Sequence, residues 1–151
     1  KEGRHAVLVL DEAHLIDDLR AWDTLRLLLN FHADGKTPLT LLIVGQPALL
    51  PFFERHPHWE QLFGVKCLLR PLQPSETREY VVHRLKTAGC SRIPFDEEAL
   101  DAVYSLTQGV PRVINRLCDL ALLIGYAEQK TSLSASLIRA VHEELTTVAA
   151  D

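Results

Sequence analysis

Two adjacent carboxylates, Asp11 and Glu12, stand directly after a run of five apolar residues, Ala6-Val7-Leu8-Val9-Leu10. A continuous apolar run closed by a polar turn predicts a parallel strand buried on both faces. Ligands of open α/β sheets bind beyond the carboxyl ends of such strands, which is where this pair falls. There, one carboxylate can hold Mg²⁺, usually through water, while the other orients or polarises an attacking water. The plainer alternative is a strand followed by an acidic helix cap. Gln46 follows a second apolar run, Leu39 to Val44. If the two strands are parallel neighbours, its amide emerges beside the carboxylates and can hydrogen-bond a γ-phosphate or the lytic water. Otherwise Gly45-Gln46-Pro47 is a tight strand-to-helix turn. Gly109-Val110-Pro111-Arg112 places an arginine in the first turn of a helix, opposite the face that helix buries. The helix dipole disfavours a cation there, so Arg112 points to an anionic partner, and its planar fork suits phosphate. The alternative is an exposed surface arginine. Arg55 and Arg70 read as solvated arginines, Arg55 with the option of reaching a neighbouring subunit.

Other chemistries find little support. None of the seven histidines has His-Glu-x-x-His spacing, and His56 and His58 flank a proline with no third ligand nearby. No serine sits in a Gly-x-Ser-x-Gly elbow, and no cysteine has a recognisable histidine partner. There is no Gly-x-x-x-x-Gly-Lys-Ser/Thr loop in the chain.

The elements that must position these residues follow from pattern. With 151 residues, 47 % of them hydrophobic, the chain can bury a core in one domain or two small lobes. A net charge of −4 argues against a broad electrostatic grip on nucleic acid. Three well-separated cysteines, Cys67, Cys90 and Cys118, fit a reducing compartment. No apolar stretch is long enough to span a membrane, and no signal peptide is expected in this segment. The chain begins at Lys1 and has no Met, so it is expected to be an excised piece with sequence before Lys1.

A helix is predicted from Asp17 or Asp18, with Leu15, Leu19, Trp22, Leu25 and Leu29 on one face, stopping near His32-Ala33-Asp34-Gly35. Pro47 is a candidate first helical residue. A short helix follows from Ala48 to Arg55, bent or late in starting because of Pro51. His56-Pro57-His58 reads as a break, and Val65 to Leu69 as a third strand. Arg70-Pro71-Leu72-Gln73-Pro74 reads as a linker. Four helices follow. The first is capped by Ser75 and runs to about Ala88. The second is capped by Asp96 and runs to about Thr107. The third is opened by Pro111 and runs to about Ala127, with Val113, Ile114, Leu117, Ala121 and Ile124 inward. The fourth is capped by Ser134, with Leu137, Ile138, Val141, Leu145 and Val148 inward. The fold class is α/β: part of a parallel sheet over residues 1–72, then an all-helical lobe over residues 73–151.

Four blocks now stand in order: Asp11-Glu12-Ala13-His14; Leu42-Ile43-Val44-Gly45-Gln46-Pro47-Ala48-Leu49; Leu69-Arg70-Pro71-Leu72; and Gly109-Val110-Pro111-Arg112-Val113-Ile114-Asn115-Arg116-Leu117-Cys118-Asp119-Leu120-Ala121-Leu122. Together they resemble the AAA+ ATPases of the general secretion pathway protein A (ExeA-like) group, from Val7 to about Tyr126. The resemblance implies a P-loop-type core lacking its first strand and phosphate loop, followed by a helical lid hinged at Arg70 to Pro74. It implies ATP and Mg²⁺ as cofactors. Asp11 would coordinate the metal and Glu12 would activate water. Gln46 falls at the first sensor position and Arg112 at the second, which reaches from the lid to the γ-phosphate.

The sequence departs from the family in two ways. The phosphate loop and its strand would lie upstream of Lys1, leaving a sheet edge open to pairing with another chain. Glu60-Gln61-Leu62-Phe63-Gly64-Val65 lacks the arginines that reach a neighbour's site in relatives. The implied function is the later part of an ATPase module serving assembly of a secretion or pilus system, inactive as a fragment. It would be homo-oligomeric in full-length form and cytoplasmic, with possible inner-membrane anchoring. The alternatives are a DNA-associated AAA+ switch of the transposition or replication-initiation type and a non-catalytic interaction domain. A DEAH-box helicase is disfavoured because no Ser-Ala-Thr follows at the next strand end.

Overall fold

Strand β1 (Ala6–Leu10) pairs in parallel with β2 (Leu39–Ile43), Ala6 opposite Leu39 and Leu10 opposite Ile43. The computed structural model describes residues 5–29 and 39–148. It divides the chain into two compact units, Lys1–Leu68 and Leu69–Asp151.

In the first unit, alternation along the strands sends Leu10, Leu41 and Ile43 into a core around Ala13, Trp22, Phe53 and Trp59. The opposite face is open: Val7 is 59 % exposed, Val9 55 % and Leu42 50 %. The expectation of a strand buried on both faces therefore fails for β1, because the described helices of this unit pack on one side of a two-stranded sheet.

Helix α1 (Leu19–Leu29) starts at Asp18, whose carboxylate accepts from the N–H of Arg20 at 2.8 Å. Trp22 is its buried anchor and Leu25 packs beside it, but Leu15 and Leu19 are exposed. Leu15 belongs to a separate 3-10 turn, Ala13–Leu15, so the helical period does not reach it. Helix α2 (Leu49–Glu54) begins after Pro47, which sits in the preceding turn rather than opening the helix. Pro51 falls in its first turn, where a missing N–H leaves no helical bond unmade. Instead of the expected break, Pro57 opens a short helix, α3 (Pro57–Glu60), with Pro at a position that suits its fixed φ. Trp22 meets Phe53 edge-on at 5.2 Å and Trp59 at 5.4 Å between ring centroids.

The third strand expected over Val65 to Leu69 is not formed. Val65 is 85 % exposed and Leu69 88 %. An extended apolar segment becomes a strand only by laddering its N–H and C=O groups with a neighbour, and none of the described residues offers one.

The second unit is helical: α4 (Pro74–Thr87), α5 (Glu97–Thr107), α6 (Pro111–Ala127) and α7 (Ala135–Val148). The N-cap of α4 is Gln73, not Ser75. Gln73 and Glu76 form a reciprocal capping box, with Pro74 as the first helical residue. The Gln73 N–H, and after it the Arg70 guanidinium, hold the Glu76 carboxyl below its usual range. Arg70 donates to both Glu76 oxygens, at 2.9 and 3.0 Å, so it is paired rather than simply solvated. Asp96 caps α5 as expected, accepting from the Ala99 N–H at 2.7 Å. Backbone bonds from Asp96 N to Leu133 O (3.2 Å) and from Leu133 N to Pro94 O (2.7 Å) tie the starts of α5 and α7 together. Ala99, Val103, Ile114, Leu117, Ile138 and Val141 form the centre of the core. On α6 the buried stripe runs Ile114, Leu117, Cys118, Ala121 and Gly125. Cys118 takes the inward place expected of Val113, which is 38 % exposed. The expected helix stop at His32 to Gly35 and the inward side chain of Val148 lie outside the described residues. No helix among the described residues is long and apolar enough to cross a membrane.

Candidate functional site

Parallel pairing brings the ends of β1 and β2 side by side, and the ladder continues past both strands. The N–H of Val44 donates to the Leu10 carbonyl at 2.8 Å, and that of Ala13 to the Val44 carbonyl at 2.9 Å. Between those bonds lie Asp11 and Glu12. Glu12 has φ 51° and ψ 32°, in the left-handed region, which costs a non-glycine residue on the order of 1 kcal/mol. The conformation turns the chain so that Ala13 points into the core, where it is 1 % exposed, while the Glu12 carboxylate stands in solvent. Asp11 supports the turn by accepting the Glu12 N–H at 2.8 Å. A carboxylate has further lone pairs, so that bond leaves Asp11 able to accept elsewhere. The turn is held from the core side by Trp22, whose Nε1–H donates to the Ile16 carbonyl at 3.2 Å.

Gln46 emerges beside this turn. Gly45 allows the approach: a Cβ there would lie 3.2 Å from the His14 nitrogen and 3.4 Å from that of Ala13. The Gln46 N–H points to Nδ1 of His14 at 3.4 Å, and the same Nδ1 lies 3.4 Å from a Glu12 carboxylate oxygen. Asp11, Glu12 and Gln46 are thus brought to one edge of one sheet, with His14 between Glu12 and Gln46. Sequence reasoning missed His14. The signal was present: it stands two residues after Glu12, beyond a strand end whose parallel neighbour ends in Gly45-Gln46.

Arg112 belongs to the other unit, in the first turn of α6, and is exposed. No side chain caps that helix start, Pro111 has no N–H to offer, and among the described residues Arg112 has no hydrogen-bond or ionic partner. Arg55 turns back on α2, its Nε donating to the Pro51 carbonyl at 3.0 Å, which engages it within its own subunit. No three His, Cys, Asp or Glu side chains among the described residues cluster as a metal site.

General secretion pathway protein A of Aeromonas hydrophila is 36 % identical to this chain over 129 residues, 83 % of the chain. The segment belongs to the general secretion pathway protein A family of AAA+ proteins. It spans 23 % of that relative's length. Solved structures of Thermotoga maritima RuvB point mutants share its architecture. One superposes with a TM-score of 0.71 at 18 % identity, covering 94 % of this chain and 45 % of RuvB. A second gives 0.71 at 17 %, covering 95 % and 46 %. At that identity the likeness is one of fold: an AAA+ α/β core portion followed by helices. No family model matches the chain.

Proposed function

We propose that this chain is the later part of an ATPase module that couples ATP binding and hydrolysis to assembly of a secretion or pilus system at the cell envelope. The observation that carries the proposal is the identity to general secretion pathway protein A over most of the chain, joined to two carboxylates at a strand end. Asp11 is the metal-facing carboxylate, able to hold Mg²⁺ through its remaining lone pairs. Glu12 is the base that orients and polarises water, and its strained turn keeps the carboxylate in solvent. The exposed Gln46 amide is placed to hydrogen-bond a γ-phosphate or that water. Arg112 is the lid's cation for the γ-phosphate, since a charge held against the helix dipole is neutralised by an anion.

Asp11, Glu12 and Gln46, all of the first unit, fit the metal and γ-phosphate side of Mg·ATP. Bound ATP would supply the phosphoanhydride bond that water cleaves. The backbone cradle for the β- and γ-phosphates is not encoded in the chain, which has no Gly-x-x-x-x-Gly-Lys-Ser/Thr sequence. The 151-residue chain alone is therefore proposed to be inactive. In full-length form the protein is proposed to work as a homo-oligomer with secretion or pilus assembly proteins, on the cytoplasmic side of the inner membrane.

The test is Glu12→Gln in the full-length protein. Nucleotide affinity should stay near the parental value while turnover falls by about 10²-fold or more, because only activation of water is lost. Turnover at the parental rate would reduce Glu12 to a turn residue.

A further inference from the structure

We infer that His14 is a positioning residue for Glu12, and that its Nδ1 alternates between the Glu12 carboxylate and the Gln46 N–H. This inference rests on the reading of Glu12 as the base. The same atom lies 3.4 Å from each partner, and the two contacts demand opposite chemistry of it. To accept from the Gln46 N–H, Nδ1 must be bare. To donate to Glu12, Nδ1 must carry a proton. A neutral imidazole satisfies one demand in each tautomer and never both.

In one state the Glu12 carboxylate is held by the ring. In the other it is released, and the ring is tied to the end of β2 instead. Because the second state uses the main chain of Gln46, any movement of the Gly45-Gln46 turn changes which state is available. His14 thereby links the residue proposed to contact the γ-phosphate to the residue proposed to activate water.

The surroundings separate this role from simple filling of space. The His14 side chain is only 14 % exposed while that of Glu12 is 66 % exposed, so the ring is the shielded partner and the carboxylate the solvent-facing one. Glycine would adopt the left-handed turn at position 12 without strain, yet the chain carries a carboxylate there. A strained backbone places that carboxylate, and one neighbouring side chain can hold or free it.

The experiment compares steady-state ATP hydrolysis by full-length protein carrying His14→Ala, His14→Asn or Glu12→Gln, and the His14→Ala change on the Glu12→Gln background. His14→Ala should lower kcat about tenfold, the scale for losing an orienting partner of a reacting group, with little change in KM for Mg·ATP. Asn carries a donor and an acceptor near the place of Nδ1 and should restore most of the loss. On the Glu12→Gln background, His14→Ala should cost almost nothing further, since the group it positions is gone. Equal losses for Ala and Asn, or an undiminished loss on the Glu12→Gln background, would overturn the inference while leaving Glu12 as the base. Parental turnover in Glu12→Gln alone would instead overturn the reading of Glu12, and with it this inference.

A chemical-shift comparison with the parent, in which the remaining resonances report an intact fold, guards against variants that misfold. In the 151-residue chain, the His14 ¹⁵Nδ1 and Gln46 amide resonances should both move in Glu12→Ala, which leaves Nδ1 only the Gln46 N–H as a partner. If neither resonance moves, the shared contact does not exist.

Discussion

Leu72 donates its N–H to the carbonyl of Gly109 at 2.8 Å, and a Cβ built on Gly109 would lie 1.9 Å from the Leu72 oxygen. The segment ahead of α4 is therefore seated on the turn between α5 and α6, the turn that delivers Arg112. Gly109 has φ +72° and follows Gln108 at φ 51°, so two left-handed residues in succession reverse the chain. Gly109→Ala should destabilise the second unit by about 2 to 4 kcal/mol, combining backbone strain with a clash against main chain that cannot rotate away. Gly64, with nothing within 4 Å of its Cβ position, provides the control. Gly64→Ala should stay within about 0.5 kcal/mol in urea unfolding. Equal stability of the two variants would mean that Leu72 and Gly109 are not in contact in solution.

Arg112 should discriminate nucleotides by their third phosphate. It has no protein partner among the described residues, so its removal leaves no internal group unsatisfied. Arg112→Ala in the full-length protein should weaken ATP about tenfold or more and leave ADP nearly unchanged, the scale of one charge-assisted bond. Equilibrium titration with both nucleotides decides the matter: equal losses would make Arg112 structural.

Cys118 makes the second unit's stability fall at alkaline pH. Burial first, and then the nearby Asp119 charge, push its thiol from 9.0 up to about 12. The folded state keeps the proton between those values while the unfolded state gives it up. Folded chains then bind more protons than unfolded ones, so stability falls as pH rises through that window. The slope approaches about 1.4 kcal/mol per pH unit and is absent below the unfolded value. Urea midpoints for the parent and Cys118→Ala at pH 8 and pH 10.5 should converge as pH rises. A difference independent of pH would show that the thiol is not held protonated.

Local signals were legible in the sequence where one residue settles the structure. Asp96 before Glu97 and Pro111 after Gly109 fixed two helix starts, because a cap or a ring-locked φ acts within one turn. Gln73 was missed as a cap because Ser75 has the stronger propensity, while Pro74 needs the first helical position and leaves the cap to the residue before it. That Val65 to Leu69 forms no strand among the described residues was not legible, because a mostly apolar composition says nothing of a neighbour to pair with. The same gap explains the open face of β1: a continuous apolar run records how a strand is buried in a complete sheet. At the site, Asp11, Glu12 and Gln46 were readable from strand ends. For His14 the sequence showed nearness to Glu12 but not the contact with Gln46, since that depends on the register that sets Ala6 opposite Leu39.

The 151-residue chain should bind Mg·ATP weakly at best. Mg²⁺ demands six ligands in near-octahedral array and is reluctant to shed water, so a carboxylate or two holds it poorly unless phosphate oxygens complete the shell. Phosphates in turn are held by several backbone N–H groups converging from a glycine-rich loop, and the sequence has no Gly-x-x-x-x-Gly-Lys-Ser/Thr run to form one: Gly35-Lys36-Thr37 is preceded by Asn30 where the first glycine would stand. Asp11 already spends one lone pair on the Glu12 N–H, and no three His, Cys, Asp or Glu side chains among the described residues cluster as a metal site. Arg112 alone contributes one cation. A single charge-assisted contact, worth about 1.5 to 3 kcal/mol, corresponds to no better than millimolar affinity. Calorimetric titration of the chain with Mg·ATP should therefore show no saturation below about 1 mM. A dissociation constant in the low micromolar range would mean that these residues assemble a phosphate site without a glycine-rich loop, and the assignment of the chain as the later part of its module would have to be withdrawn.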